Sequence, residues 1–146
     1  MLHIVKLCVG CDSVDELAEW QRRRLSAMRK AGAEAKLVHV TRQAPRRAGF
    51  MPAASSIYWI IGGFIRVRQR IEGLSEIRGA DGIVRCGLIL DPRLVPTDAY
   101  PRRPFQGWRY LSVDEAPADL EAGDQEQPEP SMPPAMRAAL VELRLL

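Results

Sequence analysis

The sequence predicts an α+β domain on a mainly antiparallel, barrel-like sheet, with one long N-terminal helix and a short C-terminal helix. Three observations point there. A strand and a well-signalled helix are followed by several short apolar runs separated by turn residues. Too few helices lie between those runs for a doubly wound parallel sheet. At 146 residues, 47% of them apolar, the chain is about one domain long and large enough to bury a real core.

The elements follow in order. Residues 2–9 alternate well enough for a first strand. Ser13 is a helix N-cap with Glu16 three residues on, the spacing at which each side chain satisfies an exposed N–H near the other. Val14, Leu17, Gln21, Leu25 and Met28 share one face, apolar except at Gln21, and Gly32 supplies a left-handed stop. Residues 36–42 read as a second strand, and 44–52, with Pro45 and Pro52, as loop. Residues 55–63 admit either a short helix ending at Gly62 or a strand turning through Gly62 and Gly63. From Phe64 a strand puts Arg66, Arg68 and Arg70 on one face and Ile65, Val67 and Ile71 on the other, because successive side chains of a strand point to opposite sides. Asp81-Gly82 is a turn between the arginine strand and a strand at 83–90. Pro92, Pro96, Pro101 and Pro104 make the next segment an extended loop, before a strand at 107–113. The expected organisation is a single domain over 1–117, an acidic proline-rich linker over 118–134, and a helix over 135–146 that docks on the body.

The net charge of +3 conceals an asymmetry: residues 1–111 hold 19 Lys and Arg against 10 Asp and Glu, whereas 112–146 hold 2 against 8. A basic body attracts phosphates and nucleic acid. The competing reading is a solvated surface whose arginines pair locally. No apolar run is long enough to cross a bilayer, and the first residues lack a basic region followed by a long apolar stretch, so a soluble cytoplasmic protein is expected, with no membrane partner.

Chemistry-bearing motifs are sparse. Cys8, Cys11 and Cys86 are an odd number without signs of secretion, which argues against a disulfide framework. Cys8-Val-Gly-Cys11 has the spacing of zinc ligands and redox dithiols, yet no second pair completes a zinc set. Two small buried thiols are the preferred reading, with no metal or cofactor. His39 reads as a hydrogen-bonded sheet residue facing away from Val38 and Val40, and no nucleophile or carboxylate pair singles itself out beside it. Gly-x-Ser-x-Gly, Gly-x-Gly-x-x-Gly and Walker-type motifs are absent.

The stronger pattern is basic and aromatic. Arg42, Arg46 and Arg47 flank the first proline loop, Arg66, Arg68 and Arg70 line a strand after Tyr58, and Arg102, Arg103 and Arg109 flank Gln106 and Trp108. Guanidinium groups fork onto phosphates, and exposed rings stack on bases. The arginines are expected to contact phosphates, Trp108 or Tyr58 to stack on a base, and Gln106 to read a base edge. The function expected is a nucleic-acid-binding module, RNA in preference to DNA. The alternative is a small enzyme acting on a phosphorylated or carboxylated molecule, with His39 as acid or base. A third reading lets the acidic tail fold over the basic face.

The segments Thr41-Arg-x-x-Pro-Arg-Arg47, Ile57-Tyr-Trp-Ile-Ile-x-Gly63, Leu90-Asp-Pro92 and Phe105-Gln-Gly-Trp-Arg-Tyr-Leu111 give the chain a resemblance to a small bacterial family of conserved proteins of unknown function. That resemblance implies a cytosolic bacterial protein and no particular activity. More loosely, the chain is similar to the PUA-like barrels, including their ASCH and EVE relatives, which bind RNA or modified nucleotides. Gly62 or Gly63 and the arginine strand match roughly, while the Lys and Glu of the ASCH pattern have no counterpart here, so only the architecture carries over.

Overall fold

The computed structural model describes residues 1–120 and runs β1 (Leu2–Leu7), α1 (Val14–Lys30), β2 (Leu37–Thr41), β3 (Ser56–Ile61), β4 (Phe64–Arg78), β5 (Val84–Leu90), β6 (Val95–Pro101) and β7 (Trp108–Ser112). The Ser13 side chain caps α1 by accepting from the Glu16 N–H at 3.1 Å. The return bond differs from the reciprocal box, since the Glu16 carboxylate takes the Asp12 N–H rather than that of Ser13. Gly32, at φ 76°, follows the last turn in the left-handed conformation that favours glycine. Leu17 and Gln21 are the buried residues of the helix.

The strand order is β2-β5-β4-β3-β1-β7, with β6 also on β4. All pairs are antiparallel except β1 with β3. β4 is the organising element. Its first half pairs with β3 on one side and β6 on the other; past an irregularity between Ile71 and Gly73, its second half pairs with β5. The bulge bends the strand and carries the β5–β2 ladder over the face of β3 and β1. His39 on β2 thereby meets Trp59 on β3, ring centroids 5.2 Å apart, although β5 and β4 separate the two strands in the sheet order. Leu37, Leu88 and Leu90 from one ladder and Ile4, Ile57, Trp59 and Ile61 from the other enclose the larger core cluster. Val5, Tyr58, Ile60, Ile65 and Leu111 form a second cluster.

Three expectations are corrected or settled here. The sheet curls but is not a closed barrel, because no ladder joins β2 to β7. Side chains bridge that gap instead: Trp108 Nε1–H donates to the Gln43 carbonyl at 2.9 Å, and the Tyr110 hydroxyl accepts the N–H groups of Arg46 and Arg47 at 2.9 and 2.8 Å. The proline segment expected as loop contains β6, whose Pro96 and Pro101 stand opposite Val67 and Phe64. β6 has one full ladder, with β4, and otherwise meets only the short segment 118–120, so few ladder bonds need the missing N–H groups. Residues 56–61 are strand rather than helix, and every one of them is buried.

Residues 118–120, the first of the expected linker, are bound to β6: the Asp98 N–H donates to Ala118 O and the Leu120 N–H to Pro96 O. The rest of the expected linker and the expected helix over 135–146 lie outside the described residues.

Candidate functional site

The arginine strand alternates as its sequence requires, but its guanidinium groups are largely engaged within the molecule. Arg68 forks onto Asp119 with two bonds of 2.7 Å and donates a third to Ser56 Oγ at 2.9 Å. That hydrogen-bonded guanidinium holds the Asp119 carboxyl below its ordinary range. Arg66 bonds the Ile61 carbonyl at 3.1 Å and lies 5.3 Å from the Phe64 ring centroid. Arg70 is exposed and reaches Asp91 at 3.3 Å. Tyr58 is 5% exposed and packs in the second core cluster, so it has no free face for a base; the stacking role expected of it is withdrawn.

Other arginines stand on the loop at the gap between β2 and β7. Arg42, Arg46 and Arg47 are exposed on the loop after β2. Tyr110 fixes that loop through its hydroxyl, with the Arg47 guanidinium 5.7 Å from its ring centroid. An open hollow of about 560 Å³ lies beside it, lined by Lys6, Arg42, Gln43, Gln106 and Trp108 among others. Trp108 stands edge-on to Tyr110, at 4.8 Å, and its indole N–H is used by Gln43. Beyond Gln106, Arg109 and Arg102 lie 4.2 and 5.6 Å from the Phe105 ring centroid, and Arg103 is exposed. Arg66, Arg68 and Arg70 do not line this hollow.

A second hollow, about 700 Å³, opens between α1 and β2, and Lys6 lines both. Its residues include Trp20, Arg23, Arg24, His39 and Trp59. Burial lowers the Lys6 pKa. Burial first, and then the charges of Lys6 and Arg24, lower that of His39 to about 4, which leaves the imidazole neutral at pH 7.

A model of proteins of unknown function, DUF1489, matches residues 4–146. The chain belongs to the DUF1489 family. No curated protein and no solved structure matches it.

In this DUF1489 chain, sequence reasoning missed Lys6, Trp20 and Arg24. Lys6 is one lysine in an apolar strand, and Trp20 stands off the apolar face of α1; only tertiary structure sets either beside a hollow. The Cys8-x-x-Cys11 pair lies near the same place, with Cys8 buried and Cys11 half-buried. Burial and then a hydrogen bond with Cys11 push the Cys8 thiol up, the reverse of an activated thiolate. Among the described residues no three or more His, Cys, Asp and Glu side chains are grouped to hold a metal ion, and no helix is long and apolar enough to cross a membrane.

The Arg68–Asp119 fork fastens the segment after β7. Asp119→Asn should weaken it by about 1 kcal/mol, since one partner of a charge-assisted pair is removed while both side chains stay partly solvated. Hydrogen exchange at the Asp98 and Leu120 amides is the readout, with roughly fivefold faster exchange expected. Unchanged protection would show that the backbone bonds hold the segment alone.

Proposed function

We propose that this chain binds single-stranded nucleic acid, RNA in preference to DNA, along the open hollow that Lys6, Arg42, Gln43, Gln106 and Trp108 line beside the loop after β2. The observation that carries the reading is the grouping of Lys6, Arg42, Gln106 and Trp108 around one open hollow at the sheet edge, beside the exposed Arg46 and Arg47, whose N–H groups the Tyr110 hydroxyl holds. Exposed guanidiniums on a fixed loop contact phosphates without first paying to order the backbone. Hollows of this size suit unpaired bases rather than a duplex, and unpaired RNA is read by aromatic and arginine surfaces together with side-chain amides such as that of Gln106. Arg102, Arg103 and Arg109 extend the basic surface beyond Gln106. Arg70 remains a peripheral phosphate contact, while Arg66 and Arg68 serve the fold.

Anisotropy of labelled single-stranded RNA and of DNA of the same sequence, at two salt concentrations, tests this. RNA should bind more tightly, with affinity falling steeply as salt rises. The triple variant Arg42→Ala, Arg46→Ala, Arg47→Ala should lose roughly 10–100-fold in affinity, and its salt slope should flatten by about 2, the value for three lost contacts to a single strand. No binding at low salt, or an unaltered slope in the triple variant, removes the reading.

A further inference from the structure

Of the chain's three lysines, Lys30 and Lys36 are exposed, whereas Lys6 on β1 is half-buried. In register it stands opposite Trp59 on β3 and Trp108 on β7. Residues opposite one another share a face of the sheet, so two indoles flank the lysine stem. Both rings are pinned: Trp59 Nε1 donates to Gln69 and Trp108 Nε1 to the Gln43 carbonyl, each at 2.9 Å. The ammonium itself makes no hydrogen bond or ion pair among the described residues. Asp15, Glu16 and Glu19 line the hollow on its α1 side, together with Arg23 and Arg24, yet none of the three acids pairs with Lys6. Glu16 holds the Asp12 N–H, and Glu19 holds Arg22 and Arg23. Burial lowers the Lys6 pKa, and what opposes burial is Cys8 rather than a carboxylate. A half-buried ammonium that gives up water without a counter-charge is unfavourable, and an anion relieves it.

The hollow on the other side of Lys6, about 560 Å³ beside the loop after β2, differs in charge. Lys6 and Arg42 line it with Thr41, Gln43, Gln106 and Trp108, and no carboxylate among the described residues does. Two kinds of strand phosphate could meet Lys6 there, and burial separates them. An internucleotide phosphate carries one charge, and its strand has to both enter and leave between fixed side chains. A terminal phosphomonoester carries about −1.5 to −2 charge at pH 7, offers three acceptor oxygens and needs a single way in.

We propose that this hollow takes the terminal phosphomonoester of a nucleic-acid strand, held by Lys6 and Arg42, with the amides of Gln43 and Gln106 donating to its oxygens. The inference rests on the nucleic-acid reading above and narrows its substrate to strands with a phosphorylated end. Arg46 and Arg47, which do not line the hollow, contact the backbone that follows.

Competition against a labelled hydroxyl-ended RNA on the whole chain is the test. The unlabelled competitors share one sequence and end in hydroxyl groups, a 5′-phosphate, a 3′-phosphate, or the methyl ester of the better of these two phosphates. One phosphorylated end should bind at least about tenfold more tightly than the hydroxyl-ended strand, and the end preferred gives the polarity of binding. The methyl ester, with one charge, should fall back to within about threefold of the hydroxyl-ended strand. Lys6→Met, which keeps an apolar stem between the indoles, should bring the ratio of phosphorylated to hydroxyl-ended affinity close to one. The double variant Arg46→Ala, Arg47→Ala should weaken every strand and leave that ratio intact. In the unaltered protein, the phosphorylated strand should slow acetylation of Lys6 about fivefold relative to the exposed Lys30 and Lys36, a readout that needs no variant to fold. Equal affinity whatever the strand end, a methyl ester as tight as the free phosphate, a ratio unchanged in Lys6→Met, or unaltered Lys6 acetylation would each overturn the inference and leave the nucleic-acid reading standing. No binding of any strand would remove both.

Discussion

Gln69→Leu should destabilise the protein by about 3–5 kcal/mol in urea unfolding, although leucine nearly conserves the volume. Gln69 is fully buried on β4, and its amide makes four hydrogen bonds. Its Nε2 donates to Gln21 Oε1 and to the Asp91 carbonyl, both at 3.0 Å; its Oε1 accepts from Gln21 Nε2 and from Trp59 Nε1, both at 2.9 Å. One side chain thus joins α1, β3 and the start of the β5–β6 turn to the centre of the sheet. Leucine satisfies none of these groups, and each buried orphan costs about 1–3 kcal/mol. The double variant Gln21→Leu, Gln69→Leu should recover part of the loss, because the helix amide is no longer stranded. A loss below about 1 kcal/mol in the single variant would mean that the four bonds are not made together in solution.

Stability should also fall as pH drops from 6.5 towards 4, and His39 should account for much of the fall. The folded state holds His39 at about 4 against an ordinary 6.5, through burial and then through the charges of Lys6 on β1 and Arg24 on α1. Asp15, Glu16 and Glu19 line the same hollow from α1, but the net effect on His39 is downward. Between the two values the unfolded chain binds a proton that the folded chain refuses, so stability rises with pH across that window and is flat above it. The full difference is on the order of 3 kcal/mol. His39→Phe should remove this part of the profile while leaving the contribution of His3, also lowered by burial, in place. Urea unfolding of both proteins at pH 7 and pH 4.5 decides it: parallel losses would mean that His39 is hydrated in the folded state.

Local signals identified local structure. Ser13, Glu16 and Gly32 bracket α1 because capping acts within a turn or two of the backbone, and the alternation from Phe64 to Ile71 marks a strand with one buried face. Asp81-Gly82 was legible as the turn joining the arginine strand to β5, whereas the irregularity between Ile71 and Gly73, where β4 changes partners, was not, because it is set by the ladders on either side. Pro96 and Pro101 hid β6, because prolines are rare in a strand with full ladders on both sides and so argue for loop. At the site, the arginines were visible and their engagement was not: the acids that bind Arg68 and Arg70 lie 51 and 21 residues away. Aromatic identity likewise did not distinguish Tyr58, which is core, from Trp20, which is exposed.

The position of β1 between β3 and β7 has a consequence for biosynthesis. Ile4 stands opposite Ile57 and Leu2 opposite Ser112, so β1 is synthesised before both of its neighbours. At about 5–20 residues per second, the ribosome leaves that apolar strand without its second neighbour for roughly 5–20 seconds. The β3–β4–β5 meander, whose partners are close in sequence, is complete well before then. Enclosure of β1 therefore lags behind the meander, although β1 is made before it.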